Sequence, residues 1–398
     1  MLIGVVGGTN TGKTTFFCAS TLVEAEISNR PFVTIKPNQG TTYVKVKCPH
    51  LEFGKECNPV NSKCVNGVRL IPIALLDVAG LVPEAHKGKG LGNQFLNDLM
   101  QAQALIHVID ASGSVDAEGN PVAKGSYDPG ESIKFLEKEI AYWIKGILTK
   151  NWGKTSKQAA IDSKGPYEGL TKNLTGLGIN EEEVKQVVKR EGFSLKPDSW
   201  SEEELLEFSE KIRAKSKPII IAANKIDVEG AEENLKKLRK DFPDYRIFGC
   251  SAESELALRK AAKAGIIDYV PGEKEFKLLK EDIPEKQAKA LEFIRSNVLE
   301  KNEGTGVQEI INKTAFELLD LIAVYPVQDQ HKWTSGTGAV LPDAFLVRRG
   351  STAIELAEKI HTDFVDRFIG AIDCRSGQKI GKDHELKDGD VVKIMLKG

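Results

Sequence analysis

The sequence predicts an α/β fold built on a doubly wound, mostly parallel sheet. Short apolar runs recur along the first two-thirds of the chain, and each ends in a loop rich in Gly, Asp, Asn or Ser. Continuous apolar runs of this length are typical of parallel strands that are buried on both faces. After residue 322 the pattern changes to short alternating strands around one helix, which predicts a small second fold of the β-grasp type.

The size and charge of the chain exclude some classes of protein. Its 398 residues are enough for two or three domains with their own cores. The 55 basic and 57 acidic side chains nearly cancel, so the overall charge predicts no attraction to nucleic acid or to an anionic membrane. No apolar run approaches the ~18 residues of a membrane span. We expect a cytoplasmic protein with no membrane partner, since a cleavable signal would also destroy the motif that begins at residue 7.

The first strand leads into a loop that is suited to binding phosphate. Leu2 to Val6 is followed by Gly7-Gly-Thr-Asn-Thr-Gly-Lys-Thr14, which matches G-x-x-x-x-G-K-[ST]. The backbone N–H groups of such a loop surround the phosphates, and its glycines permit a close approach. The lysine reaches the β- and γ-phosphates, and the last hydroxyl ligates Mg²⁺. The predicted nucleotide contacts in this segment are Gly7, Asn10, Thr11, Gly12, Lys13, Thr14 and Thr15.

Two further segments are expected at the γ-phosphate and the metal. A second strand ends in Asp77-Val-Ala-Gly80, a D-x-x-G pattern at the carboxyl edge of the predicted sheet. We expect Asp77 to hold Mg²⁺ and the Gly80 N–H to sense the γ-phosphate. Thr34 is the predicted loop residue that gives its hydroxyl to the metal and its N–H to the phosphate; a structural residue in an extended segment is the alternative. The predicted catalytic groups are Lys13, Thr34 and Gly80, and the predicted metal ligands are Thr14, Thr34 and Asp77.

The base is predicted from an N-K-x-D tetrad at the end of another buried strand. A carboxylate at Asp227 accepts hydrogen bonds from the ring N–H and the exocyclic amine of guanine, and adenine offers no such pair of donors. Asp227 therefore argues for GTP and against ATP. A third strand leads to Ser251-Ala-Glu, where backbone N–H groups can meet the guanine carbonyl oxygen. The residues predicted to recognise guanine are Asn224, Lys225, Asp227, Ser251 and Ala252.

Together these motifs resemble the Obg-type translation-factor GTPases, and in particular the YchF-like branch. The residues that carry the resemblance are the Gly7 to Thr14 loop, Pro31 to Gly40, Asp77-Val-Ala-Gly-Leu-Val82 and Gly88-Lys-Gly-Leu-Gly-Asn-Gln-Phe-Leu96. The best-known YchF members have an altered base tetrad and prefer ATP, so Asp227 is a departure from that branch.

The resemblance also has implications for hydrolysis. The position that holds a water-orienting glutamine in Ras-like proteins is Leu81 here, which implies slow intrinsic turnover that relies on another residue, a monovalent cation or a partner. Asn10 lies where potassium-dependent members carry an asparagine that helps to bind K⁺. A purely loop-stabilising Asn10 is the alternative.

The spacing of the motifs predicts insertions. Roughly 140 residues separate Gly80 from Asn224, far more than one βα unit needs. The predicted helices here begin at Pro129, Asn180 and Ser201 and end near Leu148, Gly192 and Lys217; a further helix is predicted from Gly306 to Ile322. The predicted domains are a first G-domain part at 1–127, a helical insertion at 128–216, a second G-domain part at 217–322 with a helical insert at about 254–302, and a C-terminal domain at 323–398.

Two segments are relevant to an RNA or ribosome partner. The run from Gly350 to Ala371 resembles a TGS domain, which implies such a partner, although residues 322–398 carry eleven basic and eleven acidic side chains. Between Lys145 and Lys172 there are six lysines with Trp152 and Tyr167 interleaved, which is the best local candidate for an RNA contact. A solvated surface is the alternative for this segment.

One group of cysteines has the composition of a metal site. Cys48, His50, Cys57 and Cys64 lie within 17 residues and could form a closed Cys₃His zinc site. Free thiols are one alternative. A disulfide between Cys57 and Cys64 is the other, although disulfides are unusual in the cytosol.

The sequence as a whole predicts a Mg²⁺-dependent GTPase that hydrolyses GTP to GDP and acts as a molecular switch on ribosomes or RNA. A GTP-responsive scaffold with negligible hydrolysis, whose inserts and C-terminal domain bind a partner, is the alternative. The sequence does not indicate an oligomeric state.

Overall fold

The computed structural model describes residues 1–21, 39–78, 92–150, 152–161, 166–280 and 282–397. The chain divides into two compact units, each built from separate stretches. Unit 1 comprises residues 1–40 and 74–310, and unit 2 comprises residues 41–73 and 311–398. This division groups residues 41–73 with the C-terminal part of the chain. The domain boundaries given above, with breaks at 128, 217 and 323, stay predictions.

The elements alternate between strand and helix in the first part of the chain. Up to residue 110 they are β1 (Leu2–Val6), α1 (Lys13–Thr21), β2 (Gln39–Lys47), α2 (His50–Phe53), β3 (Lys63–Val65), β4 (Val68–Asp77), α3 (Gly92–Gln101) and β5 (Ala104–Asp110). From 129 to 263 they are α4 (Pro129–Thr149), α5 (Trp152–Ile161), α6 (Tyr167–Leu174), α7 (Glu181–Glu191), α8 (Glu202–Ser216), β6 (Ile219–Asn224), α9 (Ala231–Asp241), β7 (Arg246–Cys250) and α10 (Ala252–Lys263).

The described residues of the last part of the chain add a small hairpin, five helices and the C-terminal sheet. Its elements are β8 (Ile267–Asp268), β9 (Lys277–Leu278), α11 (Glu285–Ile294), α12 (Glu300–Asn302), α13 (Val307–Lys313), β10 (Leu321–Val327), β11 (Phe345–Arg348), α14 (Ala353–Ile360), α15 (Phe364–Arg367), β12 (Phe368–Asp373), β13 (Lys379–Ile380) and β14 (Val391–Leu396). A π-helical turn follows α11 and another follows α13.

Unit 1 is built on a parallel sheet in which the end of β4, then β1, β5, β6 and β7 are neighbours in that order. The strands β5 and β6 are buried along their whole length, as the continuous apolar runs predicted. The register pairs Val5 with Asp77, and Asp110 with Asn224. The polar residues that end these strands therefore lie at one carboxyl edge, and the strand order reverses beside β1, where ligands bind in open α/β sheets.

Five helices, α4 to α8, lie between β5 and β6 in unit 1. Asp128 caps α4 by accepting from the Gly130 N–H, and Ser201 and Glu204 form a capping box at α8. Helices α4 and α8 are antiparallel, because Glu137 pairs with Arg213 and Lys145 pairs with Glu202. The described residues contain no helix that is both long and apolar enough to cross a membrane.

The aromatic residues of the lysine-rich segment pack inward. Tyr167 is buried in the core of the insertion. Trp152 is half-buried against Trp200, with ring centroids 6.0 Å apart. Helix-to-helix packing of the insertion thus uses both rings, and an RNA contact by this segment stays a prediction. Lys145 is engaged as well, through its ion pair with Glu202.

Two predicted helical regions differ from the structure. The insert predicted at about 254–302 is helical at both ends but contains the β8–β9 hairpin between them. The helix predicted to reach Ile322 ends at Leu318, and β10 begins at Leu321. The run Leu321–Val327 is almost entirely buried, and a continuous apolar run of this kind cannot be distinguished from a buried helix by its period.

Unit 2 contains the C-terminal fold and residues 41–73, which include β2, α2, β3 and the beginning of β4. Its five-stranded sheet has the order β11, β10, β14, β12, β13, with β10 and β14 parallel. Helix α14 begins with a capping box formed by Thr352 and Glu355, and it buries Ala353 and Leu356 in the core of this fold. Strand β3 pairs antiparallel with the beginning of β4 through a tight turn that contains Asn66 and Gly67 at positive φ.

Candidate nucleotide-binding site

The predicted phosphate loop connects β1 to the N-terminus of α1. Gly12 has φ +90°, and a Cβ atom there would lie 2.2 Å from Nδ2 of Asn224. A Cβ atom on Gly7 would lie 2.5 Å from the carbonyl oxygen of Val108. Both positions therefore require glycine. The first turn of α1 contains Thr15, and the helix N-terminus points its free N–H groups toward the loop, as anion-binding sites do.

The side chains predicted to hold phosphate and metal come together at the mouth of this loop. The Lys13 ammonium forms an ion pair with the Asp77 carboxylate. The Thr14 hydroxyl lies 3.4 Å from Oδ2 of Asp77. A hydroxyl and a carboxylate are oxygen donors of the kind that Mg²⁺ prefers, so these two residues fit the predicted metal.

Asn10 and Thr11 fix the shape of the loop. Asn10 adopts φ +61°, and its Nδ2 donates to the carbonyl oxygen of Gly119 at 2.8 Å. Thr11 is buried, and its hydroxyl donates to the carbonyl oxygen of Gly8 at 3.0 Å. Asn10 thus has a loop-stabilising contact, which is one of the two roles considered for it above.

Asn224 links the phosphate loop to the predicted base site. Its Nδ2 donates to the carbonyl oxygen of Thr11 at 2.9 Å, and its Oδ1 accepts from the Ala252 N–H at 3.0 Å. Asn224 is the last residue of β6 and is 3 % exposed. One buried amide therefore fixes the distance between the loop for phosphate and the loop for base, which is the arrangement that a nucleotide bound at both ends requires.

Lys225 pairs with an acidic residue that belongs to none of the sequence motifs. Its ammonium lies 3.0 Å from Oδ2 of Asp110, which is buried at the end of β5. Burial alone would raise the pKa of Asp110, but the hydroxyl groups of Ser112 and Ser114 and the ammonium of Lys225 stabilise the carboxylate, and its pKa lies below the usual value. Lys225 itself adopts φ +64°. A lysine held in this conformation by a buried carboxylate has a fixed position beside the loop.

The remaining residues of the tetrad and of the third motif lie at the adjacent strand ends. Asp227 is half-buried, and the N–H of the preceding Ile226 donates to the Cys250 carbonyl oxygen at 3.1 Å, so the tetrad lies beside the end of β7. The charge of Asp227 adds to burial in raising the pKa of the Cys250 thiol. The Ser251 N–H donates to the carbonyl oxygen of Thr305 at 2.9 Å, and Ala252 begins α10. The structure thus brings Asn224, Asp227, Ser251 and Ala252 to one edge of the sheet.

A buried network of hydrogen bonds around Glu255 supports the loop that contains Ser251. The Glu255 carboxylate is 0 % exposed and accepts from the Thr305 hydroxyl at 2.6 Å and from the Tyr269 hydroxyl at 2.7 Å. It also pairs with Arg259 at 2.6 Å, and this guanidinium donates to the carbonyl oxygen of Ser20 at the end of α1. Sequence motifs could not indicate this network, because Thr305 is 50 residues from Glu255. Asp110, in contrast, could have been found as a carboxylate that ends a buried strand at the ligand-binding edge.

A buried histidine lies next to the phosphate loop. His107 lines a small cavity together with Gly8, Thr11 and Asp110. Its Nδ1 atom has no hydrogen-bond partner among the residues that the structure describes, and complete burial lowers the pKa of His107 to about 3. It is therefore neutral in the folded protein at physiological pH.

Three of the predicted positions lie outside the described residues. Thr34 and Gly80 were assigned to phosphate and metal, and Leu81 was compared with a catalytic glutamine. Their roles stay predictions.

The Cys/His group of the sequence forms a cluster in unit 2. The ligand atoms of Cys48, His50, Cys57 and Cys64 all lie within 4.8 Å of one another. All six cysteines of the chain are free thiols, so the alternative disulfide between Cys57 and Cys64 is not formed in this structure. Burial and hydrogen bonds with the neighbouring thiols raise the pKa of Cys64 to about 12.

Comparisons with known proteins agree with this geometry. Three family models match: "50S ribosome-binding GTPase" over residues 2–138, "Obg-like GTPase YGR210-like, G4 motif-containing domain" over residues 222–329, and "TGS domain" over residues 337–396. A GTP-binding protein of Methanocaldococcus jannaschii is 50% identical over 395 residues, which cover 99% of this chain and 98% of the relative.

A solved structure and a more distant relative extend the comparison. The crystal structure of a GTP-binding protein from Pyrococcus horikoshii OT3 is similar at a TM-score of 0.79 and 40% identity, with all of both chains covered. The ribosome-binding ATPase YchF of Bacillus subtilis is 27% identical, and the match covers 98% of this chain and 97% of that protein.

Proposed function

This chain belongs to the Obg-like family of P-loop GTPases, and from that premise we propose that it is a molecular switch that hydrolyses GTP to GDP on ribosomes or RNA. The observation that carries nucleotide binding is the double contact of Asn224 with Thr11 and Ala252. It holds the phosphate loop and the base site at a fixed separation. Asp227, three residues beyond Asn224, supplies the carboxylate that distinguishes guanine from adenine.

The described residues can perform most of the work of binding. Lys13 and the N-terminus of α1 neutralise the phosphates. Thr14 and Asp77 would hold Mg²⁺, with Thr34 as the further predicted ligand, and the ion would supply charge neutralisation at the β- and γ-phosphates. The Gly80 N–H is the group that we assign to sensing the γ-phosphate. Because Leu81 offers no group to orient water, we expect slow hydrolysis by the isolated protein.

A potassium ion is the second cation in this proposal. Nδ2 of Asn10 donates to Gly119, so a cation at this point would take the Oδ1 atom. A positive charge there would act on the phosphates as an arginine finger does. The proposal for K⁺ rests on the resemblance of Asn10 to the asparagine of potassium-dependent members.

The partner is proposed from the relatives and from the C-terminal domain. The Bacillus subtilis relative is named as a ribosome-binding protein, and the C-terminal part of this chain matches the TGS family. A ribosomal partner implies action in the cytoplasm. Since the rings of Trp152 and Tyr167 are used in packing, we assign the contact to the C-terminal domain rather than to the helical insertion.

Single-turnover hydrolysis of GTP tests the proposal. The native chain is mixed with less than one equivalent of GTP in potassium or sodium buffer, with and without ribosomes, and the Lys13→Ala variant provides the background. We expect hydrolysis above that background, faster in potassium, with stimulation by ribosomes of more than about tenfold. Tight GTP binding with hydrolysis at background under every condition would favour the scaffold instead. Preference for ATP would contradict the assignment of the base, and indifference to ribosomes would contradict the assignment of the partner.

A further inference from the structure

Three of the six separations among the ligand atoms of the Cys/His cluster are close to those of a tetrahedral metal site. The Cys48 and Cys57 sulfurs are 3.8 Å apart. Nδ1 of His50 lies 3.2 Å from the Cys57 sulfur and 3.6 Å from the Cys64 sulfur. A regular tetrahedron with Zn–S of about 2.3 Å and Zn–N of about 2.05 Å has edges of about 3.8 Å between sulfurs and about 3.6 Å between sulfur and nitrogen. The three separations are within about 0.4 Å of these edges, and all four ligand atoms lie within 4.8 Å of one another, so the cluster is close to the size of a zinc site.

A buried arginine, Arg69, indicates that a negatively charged group belongs at the Cys/His cluster. Arg69 is 0 % exposed and has no carboxylate partner among the described residues. It donates to the Ser62 hydroxyl at 3.0 Å and to the Leu341 carbonyl oxygen at 2.6 Å, and it lies over the Tyr325 ring. A fully buried charge of this kind requires a compensating one.

The Cys/His cluster provides that compensation when it holds a divalent ion. Three thiolates, one neutral imidazole and Zn²⁺ together carry one negative charge. The cluster lies close to Arg69, because the antiparallel register of β3 and β4 pairs Cys64 with Arg69. The negative charge of the zinc-bound cluster thus compensates the positive charge of the buried guanidinium.

The loop between Cys57 and Cys64 pairs with residues 340–344 in the C-terminal part of unit 2. The Asn58 N–H donates to Val340 O at 2.8 Å, and the Val60 N–H donates to Pro342 O at 2.6 Å. Asn61 exchanges two hydrogen bonds with the backbone of Ala344, at 2.9 and 3.1 Å.

An aromatic contact joins the same two parts of unit 2. Phe53, three residues after His50, stacks on Trp333 with ring centroids 4.4 Å apart. The segment bounded by the four ligands thus makes backbone, amide and aromatic contacts with residues 333–344.

We propose that Cys48, His50, Cys57 and Cys64 bind one structural zinc ion, which holds residues 57–61 in the conformation that pairs with residues 340–344. Zinc is the choice because thiolates with one imidazole in a closed four-ligand set are typical of structural zinc sites. The four ligands leave no position for a substrate, so the ion stabilises a local fold. This inference does not depend on the nucleotide or on the partner that are proposed above.

Metal analysis of the native full-length chain is the first test. The protein is purified under reducing conditions without chelators, supplied with one equivalent of zinc, and passed through a desalting column before elemental analysis. We expect one zinc ion per chain. A chain that retains no zinc, or that retains iron instead, overturns the proposal. Replacement of zinc by Co²⁺ should give the visible absorption bands of tetrahedral cobalt together with a sulfur-to-cobalt charge-transfer band; octahedral cobalt spectra would also overturn it.

Cysteine-to-serine variants distinguish the proposed zinc ligands from the other cysteines of the chain. The Cys57→Ser and Cys64→Ser variants should each bind zinc more weakly by more than the roughly 10–100-fold that the loss of an outer-shell partner costs. Cys374→Ser is the matched control, because Cys374 is also half-buried in unit 2 but is not part of the cluster, and it should retain the full zinc content. Equal zinc content in all three variants would contradict the assignment of ligands.

Hydrogen exchange tests the second half of the proposal without any variant. Chelation of zinc from the native chain should speed exchange at the amides of Asn58, Val60 and Ala344, while the amides of β5 and β6 keep their protection. GTP affinity measured on the same samples should be unchanged. If zinc leaves and these three amides keep their protection, the ion does not hold the loop. If GTP affinity falls in step with the zinc content, the effect is not local to this segment.

Discussion

Asn224 donates from Nδ2 to the carbonyl oxygen of Thr11 at 2.9 Å, and this hydrogen bond joins the end of β6 to the middle of the phosphate loop. Both groups are buried, so breaking the bond would leave a desolvated amide and a desolvated carbonyl without partners, at a cost of about 1–3 kcal/mol. The space for this contact exists because residue 12 has no side chain: a Cβ atom there would lie 2.2 Å from the amide nitrogen.

Replacement of Gly12 by alanine should therefore disrupt nucleotide binding. The substitution forces a non-glycine residue to φ +90°, at a cost of about 1–2 kcal/mol, and also displaces Asn224. We expect GTP affinity to fall by on the order of 100-fold, which can be measured by calorimetry. Gly8→Ala is the control in the same loop, because its Cβ atom would meet only Cγ2 of Thr11 at 3.6 Å. Similar losses in both variants would indicate that the loop tolerates no side chain at either position.

Base selectivity should change when Asp227 is replaced. Alanine or glutamate at this position removes or misplaces two charge-assisted hydrogen bonds to guanine, each worth about 1.5–3 kcal/mol, so GTP affinity should fall by on the order of 100-fold or more. ATP affinity should stay the same, since adenine has no donor pair for the carboxylate. Competition between the two nucleotides for the native chain and the Asp227→Ala variant measures the ratio. Asp244→Asn changes an exposed carboxylate after α9 and is the control. An unchanged preference for GTP would disprove the assignment.

The buried ion pair of Glu255 and Arg259 should contribute more to the free energy of unfolding than an ion pair on the surface. Glu255→Gln leaves Arg259 charged and only 6 % exposed without its partner, and we expect a loss of about 3–5 kcal/mol in the free energy of unfolding. Glu285→Gln is the matched control, because Glu285 and Lys289 form an ion pair with the same four-residue spacing on the surface. Its loss should stay below about 0.5 kcal/mol. Urea denaturation of the two variants and the native chain gives the comparison, and equal losses would mean that the buried pair is not integral to the core.

Stability should fall in mild acid because of His107. The folded protein holds this imidazole neutral down to about pH 3, whereas the unfolded chain protonates it below about pH 6.5. The unfolded state thus binds more protons, and the free energy of unfolding should fall by up to about 1.4 kcal/mol per pH unit as the pH drops below 6.5. His107→Leu should remove this slope between pH 6 and 5, and His331→Gln, which changes an exposed histidine, should retain it. Identical pH profiles for all three proteins would show that His107 is protonated without unfolding.

The sequence was most informative where function imposes a local pattern. The loop from Gly7 to Thr14 and the tetrad at Asn224 can be recognised because the residues that touch one phosphate or one base are close together in the chain. The start of α4 was predicted for the same reason, since the Asp128 side chain caps an N–H only two residues away.

Features that depend on distant residues could not be predicted in this way. The Thr305 hydroxyl reaches Glu255 across 50 positions, and the Asn61 side chain reaches Ala344 across 283. Neither contact leaves a periodic signal in the sequence. The predicted helix extended into the first two residues of β10, Leu321 and Ile322, because a buried apolar run has the same appearance in a helix and in a strand, and only the fold shows that this run pairs with β11 and β14. The spacing of Cys48, His50, Cys57 and Cys64 indicated a metal site but not what that segment packs against.

The antiparallel pairing of α4 and α8 has a consequence for how such a protein changes over generations. Because Glu137 meets Arg213 and Lys145 meets Glu202, the beginning of α4 and the end of α8 lie at the same end of the pair, and Lys217 at the exit donates to Ala102 O just before β5. The chain leaves the sheet at Asp110 and returns to it at Ile219, at the opposite edge because β5 and β6 are parallel, but the helical segment from α4 to α8 begins and ends at one end of the helix pair. Because its two ends lie together, this helical segment is an exchangeable cassette: it can be lengthened, shortened or replaced by recombination while the strand ends that hold Asp110 and Asn224 keep their places.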